Sequence, residues 1–139
     1  MKILKTLSVA VLLTGALVSS TVYGKVNPTI VNYNETPAKT VVLKHPAASN
    51  TTSYFSAATV ITFEVYKVGT KADMDNVTKV FLKEGAESCT LGGLTGNYQA
   101  YTISLKDPKS KAWFAATFKK AGLNSIKINN NEVVSVDQM

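Results

Sequence analysis

The stretch 61-ITFEVYKVGTKADMDNVTKVFLKEG-85 decides the fold. Ile61, Phe63 and Val65 alternate with Thr62, Glu64 and Tyr66, the period of a strand with one buried and one wet face. From Asp73 to Glu84 the period changes. Met74, Val77, Val80 and Phe81 recur at helical spacing, and Gly85 supplies a stop. Asp73 is the expected N-cap, its carboxylate set against the open amides of the first turn. A strand expected over 58–68 therefore runs into a helix at VGTKADM, a junction where small α/β domains often carry their chemistry.

Downstream, a strand at about Glu87–Leu91 leads through the glycine-rich GGLTGN turn to a second strand over Tyr98–Lys106. In DPKSKAWFAATFKKAG, Asp107 is the expected cap, Pro108 the first helical residue and Gly122 the stop. Trp113, Phe114, Thr117, Phe118 and Ala121 form the expected buried stripe. Short strands follow at Ser125–Ile128 and Val133–Val136, around an Asn-rich turn. The main order is strand, helix, strand, strand, helix, strand. The expected fold is α+β, a ferredoxin-like plait with two helices on one face of an antiparallel sheet. Its uncovered face would show Thr62, Glu64, Tyr66, Thr102, Ser104 and Lys127.

Upstream, residues 1–24 have the build of a secretory signal peptide. Lys2 and Lys5 precede an apolar run from Leu7 to Val18, and Val22 and Gly24 sit at −3 and −1 of a cut before Lys25. The run is well short of the ~20 apolar residues that a membrane span needs. The expected product is exported, periplasmic or secreted by a bacterium, and not membrane-spanning. Residues 25–57, rich in Pro, Asn and Thr, read as a flexible spacer in which only Thr40–Leu43 offers a short strand. The domain is then 58–139.

Charge narrows the function classes. The 15 basic residues are all lysine, and without Lys2 and Lys5 thirteen remain against nine acids. Nucleic-acid recognition leans on arginine forks and concentrated charge, so these scattered lysines read as a solvated surface with no nucleic-acid partner. Cys89 is the single cysteine, which rules out an intrachain disulfide and reads as a small buried hydrophobe. The lone His45 lies in the spacer, apart from any nucleophile, and no enzyme is expected.

The chain from 58 to 129 resembles the heavy-metal-associated domain, the copper- and mercury-carrying module of metallochaperones and metal-pumping ATPases. The likeness rests on element order, on 67-KVGTKADMDNVTKVFLKEGAES-88 and on 118-FKKAGLNSIKI-128. That family works through a Gly-Met-x-Cys-x-x-Cys loop, whose two thiolates converge on one soft ion. Aligned on Gly69, the chain has Thr70 at the methionine, Ala72 at the first cysteine and Asp75 at the second. The resemblance therefore implies a degenerate member without the thiol site, and no cofactor is expected.

The remaining candidate metal ligands are Asp73, Met74, Asp75 and Cys89, with His45, Asp137 and Met139 as distant partners. The candidate interaction surface comprises Glu64, Tyr66 and Lys71. The leading expectation is a small exported binding module acting by protein–protein interaction. One alternative is a periplasmic metal-binding or metal-transport protein with non-family ligands. Another is a domain like a protease propeptide or inhibitor.

Overall fold

A computed structural model describes residues 36–139; the expected leader and the part of the spacer up to residue 35 lie outside the described residues. β1 (Thr40–Leu43) is followed by α1 (Thr51–Ala57), β2 (Val60–Tyr66), α2 (Lys71–Lys83), β3 (Ser88–Thr95) and β4 (Tyr98–Ser104). α3 (Lys111–Lys120), β5 (Ser125–Ile128) and β6 (Val133–Ser135) come next, and a 3-10 turn at Val136–Gln138 ends the chain.

β2 keeps the phase its alternation requires: Ile61, Phe63 and Val65 are buried, and Thr62 is exposed. It pairs antiparallel with β4 along its whole length, from Val60 opposite Ser104 to Tyr66 opposite Tyr98. Tyr101 and Ile103 thus join the buried face, with Leu105 just beyond the strand. α2 and α3 close on that face through aromatic rings. The Phe63 ring lies 5.6 Å from Phe81 of α2, 5.2 Å from Phe118 of α3 and 5.3 Å from Tyr101. This cluster ties two helices to two strands and is the centre of the core.

The α+β class holds, but the sheet is six-stranded and mixed, in the order β3-β4-β2-β1-β5-β6. In a ferredoxin-like plait the last strand, here 125–128, would lie directly beside the first, β2. Instead β1 lies between them, antiparallel to β2 and parallel to β5. Residues 36–57 are therefore not a spacer. All four residues of β1 are buried: Val41 and Leu43 belong to the core, while Thr40 and Val42, opposite Tyr66 and Glu64, lie on the other face between β2 and β5. The short strand the sequence offers at Thr40–Leu43 is therefore present, but four apolar or β-branched residues in a row show no alternation, so they do not tell one face from the other or reveal that the strand lies inside the sheet.

The rest of this segment packs too. Asn50 caps α1 by accepting a hydrogen bond from the Ser53 N–H. The buried Phe55 stacks on Phe114 of α3, with ring centroids 4.3 Å apart. α1 thus forms a third helix on the same face.

Both longer helices begin differently from the sequence expectation. Thr70, not Asp73, is the N-cap of α2, and Ser110, not Asp107, is the N-cap of α3, leaving Pro108 outside the helix. Each hydroxyl accepts the N–H three residues on, and at α2 the Asp73 carboxylate returns the bond by accepting from the Thr70 N–H. Both helices stop at the expected glycines. Gly85 N–H donates to the Leu82 carbonyl and Ala86 N–H to Phe81; Gly122 and Leu123 repeat the pair on Lys119 and Phe118.

β3 is longer than the sequence suggests. Only Gly96 and Asn97 turn the hairpin, while Gly92 and Gly93 stay in the strand at a bulge opposite Ala100. A glycine pair reads as a turn, but within a paired strand it equally marks a bulge. The buried Gln99 supports the irregularity, its side-chain amide donating to the Gly92 carbonyl at 2.9 Å and to Ala100 at 3.0 Å. Among the described residues no helix is long and apolar enough to cross a membrane.

Candidate functional site

Two places hold the sequence candidates: the β2–α2 loop and the open face of the sheet. In the loop, Gly69 leads into the Thr70 cap with φ +108°, and a Cβ there would fall 2.6 Å from an Asp73 carboxylate oxygen. Only glycine allows the carboxylate so close to the backbone. Asp73 is the third helical residue and completes a capping box. Its Oδ2 accepts from the Thr70 N–H at 2.9 Å and from the Thr70 hydroxyl at 2.8 Å. Its Oδ1 accepts from the Lys39 ammonium at 2.9 Å. The Lys39 hydrogen bond, followed by those from the Thr70 amide and hydroxyl, holds the Asp73 carboxyl down at about 2.

A depressed carboxyl contributes stability above its unfolded value, ~3.9, and loses it as pH falls through the folded value. For Asp73 that window runs from the ordinary range down to about 2. The melting midpoint of Asp73→Asn should lie below that of the parent by a constant amount above about pH 5, and the gap should close toward about pH 2. A gap that does not change over that range would show that the Lys39 contact has no energetic weight.

Asp75 accepts from Lys71 one helical turn earlier, at 2.8 Å and 3.1 Å. Lys71 is 85% exposed in this pair, which contributes ~1 kcal/mol at most. Met74 is half-buried and packs against the core. Cys89 points into the core from β3, and burial pushes its thiol up, partly offset by the Thr78 hydroxyl. Thr78 Oγ1 is itself buried without a regular hydrogen bond, so that contact is loose.

The more distant partners are likewise occupied. His45 Nε2 lies 3.3 Å from the Thr51 hydroxyl, and the ring stacks on Tyr54. Asp137 accepts from Lys119. Met139 packs against the core. Among the described residues no group of three or more His, Cys, Asp and Glu side chains could hold a metal ion.

The open face gathers a different set. Glu64 sits between Val42 of β1 and Ala100 of β4, beside the cross-strand pair of the Thr62 and Thr102 hydroxyls at 3.1 Å. Tyr66 faces Tyr98, their ring centroids 5.0 Å apart, and the Lys67 ammonium lies 5.2 Å from the Tyr66 centroid. A groove of about 280 Å³ runs between Val42, Lys44, Thr62, Glu64 and Ala100. Glu64 and Tyr66 thus share one surface. Lys71 does not join them, since it opens the helix that packs on the other face and is paired with Asp75.

Sequence reasoning missed Lys39 as the partner of Asp73, and Val42 and Lys44 as members of the open face. All three lie in the stretch read as spacer, and no local pattern brings position 39 to position 73. A second groove, of about 500 Å³, lies between α3 and the last residues; its Lys119 and Asp137 are paired with each other.

Comparison with protein families, curated proteins and solved structures finds no match for this chain.

Proposed function

We propose that this chain is a small exported, non-enzymatic binding module that acts by protein–protein interaction through the open face of its sheet around Glu64 and Tyr66. One observation carries the reading. The three helices of the described chain converge on one face through Phe55, Phe81, Phe114 and Phe118, while the other face offers a tyrosine pair and a groove beside a carboxylate. Tyrosines at a wet surface supply large, stiff contact area with a polar tip, the usual composition of an interface anchor.

Three further observations support it. The β2–α2 loop, the working loop of the heavy-metal-associated domains that the sequence resembles, is given over to helix capping and to ion pairs with Lys39 and Lys71. A plait of that family, with its thiols lost and β1 added between β2 and β5, accounts for the order of elements from β2 to β5. Cys89 and His45, which nucleophilic chemistry would need together, have separate neighbours in Thr78 and Thr51.

A photo-crosslinking residue at Tyr66 tests the proposal against one at the exposed Lys79 on α2. In the protein's native compartment, discrete adducts are expected from position 66 and not from position 79. Equal adduct patterns from both positions would remove the open face from consideration. A dissociation constant for Cu(I), Zn(II) or Ni(II) well below about 1 mM would favour the metal-binding alternative instead.

A further inference from the structure

The two edges of the sheet differ. β6 is three residues long and runs into a 3-10 turn, the kind of short edge that resists further pairing. β3 has eight residues, with no charge and no proline, and no strand of the described chain pairs with its outer side. It also displays Leu91 and Leu94, 45% and 61% exposed.

Within β3 lies 90-TLGGLT-95, which reads the same in both directions. A second copy approaching antiparallel, with the twofold axis between Gly92 and Gly93, would set Leu91 opposite Leu94 and Thr90 opposite Thr95, twice over. Residues three apart on a regular strand point to opposite faces. The bulge corrects this: Leu91 pairs with Tyr101 and Leu94 with Gln99, both of which face the helices, so the two leucines share that face. A Cβ placed at Gly92 would fall 3.1 Å from the Ala100 Cβ, whereas one at Gly93 would meet nothing within 4 Å, so of the two glycines only Gly93 has open space beside it.

We infer that β3 is a self-pairing edge, and that its occupant is a second copy of this chain joined antiparallel through Thr90–Thr95. Charge supports a copy as the occupant. The chain carries a formal net charge of +6, yet β3 itself has no charged residue, so no like charges are set against each other within this contact. Symmetry supports it as well, since an isologous contact requires a self-complementary patch. The four leucines around the axis would form one apolar cluster beside the new ladder. A contact of six to eight residues per chain lies at the small end of specific interfaces, so the pairing should be reversible.

Sedimentation equilibrium of the purified chain, from about 10 μM to about 1 mM, should show the mean mass rising from monomer toward dimer. Leu91→Lys/Leu94→Lys crowds like charges around the axis and should weaken association at least about tenfold, whereas Leu91→Lys/Leu94→Glu sets opposite charges face to face and should restore it. Melting curves of the variants establish that each is folded; if either is not, the parent series alone decides. A parent that stays monomeric throughout overturns the inference, including the case where this edge accepts only a peptide from another protein. It is equally overturned if both double variants associate alike.

Discussion

A chain from which Thr36–Ala57 has been removed should not unfold cooperatively. β1 lies between β2 and β5, so its loss strips both of a ladder at once and cuts the sheet in two. It also removes Val41, Leu43 and Phe55, all fully buried, from the core. Burying each such side chain contributes about 1.5–3 kcal/mol, and the three together rival the ~5–15 kcal/mol by which a whole domain is stable. A sigmoidal melt of the truncated chain, followed by circular dichroism, would show that the later elements close into a plait by themselves. Leu43→Ala makes the same point within the intact chain, with an expected cost of about 2–5 kcal/mol.

That segment also marks where sequence reading stops. β2, β4 and the two longer helices are legible because each has one buried and one wet side, and their alternation or helical spacing records it. β1 carries no exposed residue on either face, so no alternation marks it. Thr40–Leu43 carries its information in its neighbours, β2 and β5, which are 17 or more residues away along the chain. The same limit applies at the candidate site. Glu64 and Tyr66 are placed by the phase of their own strand, whereas the Lys39–Asp73 contact spans 34 residues and has no local signature. The cap of α2 differs from the sequence expectation for another reason: Thr70 and Asp73 are both good cap residues, and in a capping box each serves the other's amide.

The phase of β2 yields the other large effect, and it falls on adjacent residues. Phe63→Ala should cost about 3–5 kcal/mol, because the ring is 1% exposed and the rings of Phe81, Tyr101 and Phe118 would be left around a cavity that two helices and two strands cannot easily collapse. Glu64→Lys, one residue on, should change stability by about 0.5 kcal/mol or less, since the side chain lies on the open face and no ion pair of the described chain depends on it. Urea denaturation of both variants with equal m-values would read this contrast directly. If the pair came out alike, the strand would be packed on both sides and the face around Glu64 would not be free to dock a partner. A stable, folded Glu64→Lys that has lost the adducts formed from position 66 would place the binding energy on that face, separated from the energy that holds the fold together.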